Sequence, residues 1–520
     1  MDIRQTVFRS IILLSGARWL QQLLRMASFI ILARLLDPLD YGIATLAQVP
    51  IGLLSHAATV GMGMVLVSTS AAIERAAPHG VVLTVVGTIS LGTFAWVCAP
   101  HYANALGHPE LTAVCRAMAI MIVFDGLSAV PRAVLSRAMN FQRIAVADIV
   151  GTFSDVATAI TLAALGYGYW SLVWGLIAGG GFRFLIVAWK RPKHQWLWPV
   201  SWDGALARQL GRYGLANTGA VLLWYTHTNG DYVVMGKLYG SVALGFYAQG
   251  FRIANLFVEM LHSTLDKVLL SAYVRVRDDK ERLARALLST YRVLMLVLLP
   301  TATGLLILAP EVVSVLAGEK WLASVPFLQV FAFQGLVRSI FYQCGLAFDG
   351  LNRPHYNLLS ALVVVSTMAL GIIIVIALGF PALAVAFVVL GGYVAGLTFN
   401  LVLFRYQVHL PIHATDLLRH AFPIACAAVA MVLLVSAVKQ VLVATSSGAL
   451  PLLLTLSLTG VVSYGVALFV IKPEAVCEVL DLVLVALGRR ARFQGMGSRR
   501  AVVALVWQLL ARFRTVRGLG

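Results

Sequence analysis

Apolar runs of membrane length alternate with short polar turns from one end of this chain to the other. Fourteen such runs can be placed, at about 11–36, 42–66, 80–100, 111–135, 146–166, 169–190, 213–237, 241–270, 284–308, 322–347, 356–378, 380–404, 417–442 and 449–471. Each is close to the roughly 20 residues a helix needs to cross the hydrocarbon core. The runs are punctuated by DPLDYG, AAPHG, GHPE, GYGYW, GFP and SSGALP, whose Gly, Pro and Asp residues favour turns. The pattern predicts an all-α membrane protein of about 14 transmembrane helices.

The first run breaks its own apolar pattern. Arg18 and Arg25 lie well inside it, seven residues apart. At 3.6 residues per turn, seven positions return nearly to the same direction, so the two arginines share one helix face. Ser15, Gln21, Gln22 and Ser28 fall in the same arc, and Leu13, Leu20, Leu24, Ala27 and Ile31 lie opposite. An arginine at mid-bilayer costs about 2.5–3.5 kcal/mol on insertion scales. Two readings follow. Either the stripe faces a water-filled cavity, or the arginines snorkel to a headgroup layer.

Three further runs carry polar stripes. The second has Thr45, Gln48, Ser55, His56 and Thr59, and the seventh has Asn217, Thr228 and Asp231. The eighth has Arg252, Asn255, Glu259, His262 and Asp266 on one helical face. For the neutral residues, hydrogen bonding between helices of one lobe is the expected role. For Arg18, Arg25, Arg252 and Glu259, a cavity lining is expected. The intramembrane acids Asp125, Asp148, Asp155, Asp231 and Glu259 are open to two uses, pairing with arginines or binding a coupling proton or sodium ion.

Composition agrees with the pattern. The chain of 520 residues is 60% hydrophobic and only 12% charged, against about 25% charged in a soluble domain. The net charge of +18 is unevenly placed. With the N-terminus inside, 29 of the 40 Lys and Arg residues fall in inside segments, 4 in outside loops (Arg34, Lys237, Lys320 and Lys439) and 7 within spans. That is a positive-inside signal, and it puts both termini on the cytoplasmic face. Nucleic-acid binding is not needed to explain the charge. The tail from 473 to 520 mixes apolar stretches with arginines, which fits either helices lying on an anionic inner leaflet or a disordered basic tail.

A weak repeat runs through the chain. Arg34-Leu35-Leu36-Asp37-Pro38 with Gly42 is echoed 203 residues later by Lys237-Leu238-Tyr239-Gly240-Ser241 with Gly245. Ala99-Pro100 with Gly107 is echoed by Ala309-Pro310 with Gly318. Six spans per half gives both halves the same polarity, hence two six-helix lobes related by a pseudo-two-fold axis along the membrane normal. The expected boundaries are 1–210 for spans 1–6, 211–405 for spans 7–12, 406–472 for spans 13 and 14, and 473–520 for the tail.

Enzyme chemistry is not visible. The five cysteines are scattered without CxxC spacing, and Pro411 separates His409 from His413, so no metal site or cofactor is expected. Gly230 to Gly236-Lys237 imitates a phosphate loop but has the wrong spacer and is followed by Leu238. No loop is large enough for a catalytic domain, and catalytic residues are therefore not assigned.

The segments ARLLDPLDYG (33–42), VPRAVLSRAMNF (130–141), GYGYWSLV (166–173), NGDYVVMGKLYG with ALGFYAQGFR (229–252), LAPEVVSVLAGEKW (308–321) and DGLNRP (349–354) form an ordered set. Together they resemble the Wzx-type polysaccharide flippases of the multidrug/oligosaccharidyl-lipid/polysaccharide exporter superfamily. One departure is Leu270, where similar proteins often have proline. The resemblance implies translocation of undecaprenyl-pyrophosphate-linked oligosaccharide units across a bacterial inner membrane, for exopolysaccharide, capsule or O-antigen synthesis. It implies a lipid-linked substrate held by cavity cations, here Arg18 and Arg25, with Arg252 beside them. It also implies a coupling-ion candidate at Asp231, by likeness to the lipid II flippase, with H+ or Na+ as the ion. Partner polymerase and export machinery would act on the product. The alternatives within the superfamily are a lipid II flippase and an exporter of cationic drugs. A cation exporter calls for an acidic, aromatic cavity, which the arginines of the first run do not supply.

Overall fold

The computed structural model describes residues 3–59, 61–69, 71–189, 202–412, 414–443 and 448–472. The basic tail, Cys477 and the side chains of Asn217 and Asp266 lie outside the described residues.

Among the described residues the regular elements are helical. In order they are α1 (Ile3–Leu35), α2 (Pro38–Ala58), α3 (Met62–Ser68), α4 (Ile73–Leu106), α5 (Glu110–Arg137), α6 (Phe141–Ala164), α7 (Tyr169–Ala188), α8 (Gly204–Val276), α9 (Lys280–Leu316), a 3-10 turn (Glu319–Ser324), α10 (Val325–Gly350), α11 (His355–Leu378), α12 (Leu383–Tyr406), α13 (Ala414–Val443) and α14 (Ala449–Ile471). Eleven segments among the described residues are long and apolar enough to cross a membrane. With α1 and the two arms of α8 they match the fourteen expected runs.

Three local differences have physical causes. The run 42–66 breaks at Gly61, whose φ of 59° is left-handed and ends the α2 turn before α3. The AAPHG segment, expected as a turn, lies inside α4. Pro78 is the sixth residue of that helix, so the helix runs through it without a bond from position 78 to the Glu74 carbonyl. Spans 7 and 8 are joined without a loop, the direction changing at Gly240 with φ 85° and ψ 169°. The DPLDYG turn starts α2 with a capping box, Asp37 and Asp40 closing on each other's backbone, and with Pro38 in the first turn.

The chain forms two compact units. Unit 1 contains Met1–Gln249, Leu316–Ser324 and Gly371–Val385, and unit 2 contains the remainder. In unit 1, α6 packs on α7 and α1, and α5 on α2, α3 and α4. The α6–α7 contact is close because Gly175 and Gly179 face Asp155 and the Gly151 carbonyl, with no room for a side chain. In unit 2, Leu294, Leu336, Ile424 and Leu468 join α9, α10, α13 and α14 in one core. A second core stacks Phe348 on Phe404, ring centroids 4.5 Å apart.

Candidate functional site

The α1 helix presents two different sides. Ala17, Ser28, Phe29 and Leu32 are buried, while Trp19, Leu20 and Leu23 are 44%, 44% and 61% exposed on the other side. Counting 100° per residue, Arg18 and Arg25 fall in the sector of the buried group. Both are nonetheless exposed. A side chain on the inward side that remains exposed opens onto space the unit does not fill. Neither guanidinium has a hydrogen bond or ion pair to another described residue. Seven residues place them about 10 Å apart along the axis.

Asp231 is placed differently. It is 4% exposed, and the Tyr247 hydroxyl donates to its Oδ2 at 2.5 Å. The two residues sit on the two arms of α8, so the bond spans the Gly240 bend. Nearby polar residues of α2 serve the helix bundle itself. The Ser55 hydroxyl donates to Asp125 at 2.5 Å, and the Tyr225 hydroxyl donates to the Gln48 carbonyl at 3.3 Å. His56 meets the Tyr225 ring edge-on. Of the neutral residues, Ser55 makes a side-chain bond between helices, whereas the Thr59 and Thr228 hydroxyls bond carbonyls of their own helices. Asp148 is paired bidentately with Arg132 at 2.7 Å.

At one end of unit 1 the turns are knitted together. A methyl group at Gly42 would overlap the Ser241 carbonyl, and one at Gly245 would overlap the Pro38 carbonyl. Pro38 and Ser241, like Gly42 and Gly245, are equivalent positions of the 203-residue echo. The contact is therefore reciprocal, as at a two-fold interface. Trp321 is fully buried beside it, its indole N–H donating to the Ala33 carbonyl at 2.7 Å, with Tyr41 and Phe246 edge-on. Lys320 bonds Asp37 at 3.0 Å and the Arg34 carbonyl at 3.1 Å. Lys237 donates to the Ala105 carbonyl, and Tyr239 to the Phe380 carbonyl at 2.5 Å. All of these turns are the ones the charge pattern puts outside.

Unit 2 holds the other two expected site residues. Arg252 and Glu259 are seven apart on α8 and both exposed, so they share a face as expected. Unit 2 also holds Arg338, which sequence reasoning counted but did not select. It is 8% exposed, donates to the Asn255 amide oxygen, and lies over the Phe251 and Tyr342 rings at 5.3 and 5.7 Å. No carboxylate pairs with it among the described residues. One turn away, the fully buried Gln334 amide has no partner among the described residues. The available signal was the four-residue spacing of Gln334, Arg338 and Tyr342 on α10.

Helices of membrane length, one of them carrying two arginines on one face, define a polytopic all-helical membrane protein, and solved structures share its fold. The structure titled "Lipid II flippase MurJ, inward closed conformation" superposes with a TM-score of 0.73, at 14% identity, over 92% of this chain and 100% of that one. An inward-facing multidrug resistance MATE family transporter of the MOP superfamily gives 0.62 at 13% identity, over 75% of this chain and 94% of that one. More particularly, the chain belongs to the polysaccharide biosynthesis protein family, whose model matches residues 31–326. It is a multi-span membrane protein.

Two relatives are informative. The succinoglycan biosynthesis transport protein ExoT of Rhizobium meliloti (strain 1021) is 28% identical over 305 residues, 58% of this chain. That alignment covers 60% of ExoT's length. The lipopolysaccharide biosynthesis protein WzxC of Escherichia coli (strain K12) is 22% identical over 345 residues, 63% of this chain and 68% of WzxC.

Proposed function

We propose that this protein is a flippase that moves undecaprenyl-pyrophosphate-linked oligosaccharide units from the inner to the outer leaflet of a bacterial inner membrane, with both termini cytoplasmic. The observation that carries the reading is the pair Arg18 and Arg25, exposed on the inward side of α1 without partners among the described residues. A pyrophosphate cannot enter hydrocarbon unaided, because a buried charge must be paired. Guanidinium forks meet phosphate oxygens through several charge-assisted hydrogen bonds. Two forks on one stripe can pass a headgroup along the helix while the polyprenyl tail stays in the lipid.

Arg252 and Glu259 are proposed as further contacts to the headgroup sugars. Asp231 is the candidate for coupling to H+ or Na+. A polymerase and export machinery would take the unit on the far side. Nothing in this reading calls for catalysis by the protein itself.

The test is deletion followed by lipid analysis. Undecaprenyl-linked repeat units are expected to accumulate in the inner leaflet of the deletion strain. Normal delivery of the units to the periplasm, in a strain with no substitute flippase, would falsify the proposal.

A further inference from the structure

Basic residues gather at one end of unit 2. There α9, α10, α12 and α13 line a half-open cavity of about 160 Å³. Leu288, Tyr291, Cys344, Leu401, Phe404 and Leu417 are among its walls, and its surface is almost wholly apolar. Aliphatic cavities of about this size, near 150 Å³, stay dry and take up hydrocarbon. The walls come from the beginnings of α9 and α13 and the ends of α10 and α12. This is the end that carries Arg282, Arg285, Arg353, Arg405, Arg419 and Lys472, and by the positive-inside rule it meets the inner leaflet.

The polar edge of this cavity is cationic. His420 lies one turn past Leu417 on the same face of α13, and Arg292 one turn past Leu288 on the same face of α9. The groups acting electrostatically on His420 are Lys472, Arg292, Asp416 and Arg419. Three cations against one acid leave a local excess of positive charge. The buried Nδ1 of His420 has no hydrogen-bond partner among the described residues. An apolar slot beside a surplus of cations, at headgroup depth, matches an amphiphile with one negative head.

We propose that this is a binding site for an anionic glycerophospholipid of the inner leaflet. A segment of one acyl chain enters the cavity, and the phosphate is held by Arg419 and Lys472, with Arg292 and His420 beside them. A free phosphate ion would leave the apolar slot empty. A zwitterionic lipid would leave the positive excess unmatched. The site is built by unit 2 alone and does not depend on what cargo the protein moves. Its role is to tie α9, α13 and α14 to the leaflet, as a lipid of fixed position.

The test uses the purified full chain in nanodiscs of phosphatidylcholine, alone or with equal parts of phosphatidylglycerol and undecaprenyl phosphate, followed by native mass spectrometry of the retained lipid. The wild-type protein is expected to retain phosphatidylglycerol over phosphatidylcholine. R419Q/K472Q is expected to lose affinity roughly thirtyfold, at about 1 kcal/mol for each cation removed, with its unfolding temperature unchanged. Leu417→Phe, which fills the slot, is expected to lower retention while leaving the charges in place. K472Q alone, at the last turn of α14, gives a milder variant that keeps the test alive if the double variant does not fold. Equal retention of the two lipids by the wild type would overturn the site. So would wild-type retention by K472Q and R419Q/K472Q, or retention of undecaprenyl phosphate in preference to phosphatidylglycerol.

Discussion

The helix α1 in unit 1 and the helix α10 in unit 2 both carry arginine inside a membrane-length helix, and they treat it in opposite ways. Arg338 on α10 is buried, bonded to Asn255 and enclosed by Phe251 and Tyr342. Arg18 and Arg25 on α1 are exposed on the inward side and unbonded to described residues. The same costly group is absorbed by neighbours in one place and left available in the other. An absorbed charge holds helices together. An available one, kept at a cost, is what a ligand of opposite charge would use.

The largest expected effect follows directly. Arg18→Ala and Arg25→Ala should each remove a fork worth about 1.5–3 kcal/mol to a charged ligand, and together should abolish transport. Arg→Lys at either position should restore only part of it, since an ammonium cannot bind bidentately. Because neither arginine has a partner among the described residues, unfolding temperature and protein level should stay at wild-type values. Transport assays on inverted vesicles decide this. Wild-type transport in both alanine variants would make α1 resemble α10 and return the arginines to a headgroup layer.

The next effect is on stability, at a charge that is fully absorbed. Lys439 on α13 bridges Glu311 on α9 at 2.7 Å, the side chains being 24% and 11% exposed. Lys439→Met leaves Glu311 an uncompensated, mostly buried carboxylate. Removing one partner of such a pair costs about 3–5 kcal/mol, and the expected loss lies at the lower end because the lysine retains some solvent. Adding Glu311→Leu should recover most of it, since an apolar pair of similar volume is often neutral. Thermal unfolding of the single and double variants measures the coupling. Additive effects of the two substitutions would place this pair with the available charges.

Sequence alone made the class of each helix legible but not the fate of each charge. Run length and polar striping gave fourteen spans because lipid leaves the backbone only helical solutions. The shared face of Arg18 and Arg25 was also legible, since it depends only on helical period. The partners of Lys439, Arg132 and Arg338 were not. Lys439 counted as an outside-loop cation, yet it reaches Glu311, 128 positions away, where no local period applies. The Gly42 and Gly245 contact stands between these cases. The echo that relates them was visible, but their packing on each other's preceding turns required the fold. The echo of Gly107 and Gly318 likewise became two left-handed turns, φ 76° and 100°, ending α4 and α9.

Arg338 offers a smaller and sharper test. If its charge serves only the α8–α10 contact, Arg338→Met should be tolerated. The long apolar side chain keeps the volume, stays packed on Phe251 and Tyr342, and removes a charge that no described carboxylate balances. The remaining cost is the Asn255 carbonyl, left without its donor, at about 1–3 kcal/mol. Relief of the buried charge offsets part of this, so the net loss should be about 1 kcal/mol with transport retained. A transport loss equal to that of Arg18→Ala, at unchanged stability, would move Arg338 into the same class as the α1 arginines.

The smallest effect should come from Lys320, although it bonds both Asp37 and the Arg34 carbonyl. Its ion pair with Asp37 is open to solvent, the side chains being 34% and 73% exposed. Exposed pairs contribute about 0.2–1 kcal/mol and are screened by salt. The neighbouring Trp321, fully buried and bonded to the Ala33 carbonyl, fixes the same turn without charge, and the glycine crossing fixes it by contact. Lys320→Gln should therefore lower stability by at most about 1 kcal/mol, and raising the ionic strength should reproduce much of that shift in the wild type. A larger, salt-insensitive loss would mean that the bond to the Arg34 carbonyl, not the ion pair, holds the turn, and would class Lys320 with Arg338 as a charge taken up by the fold.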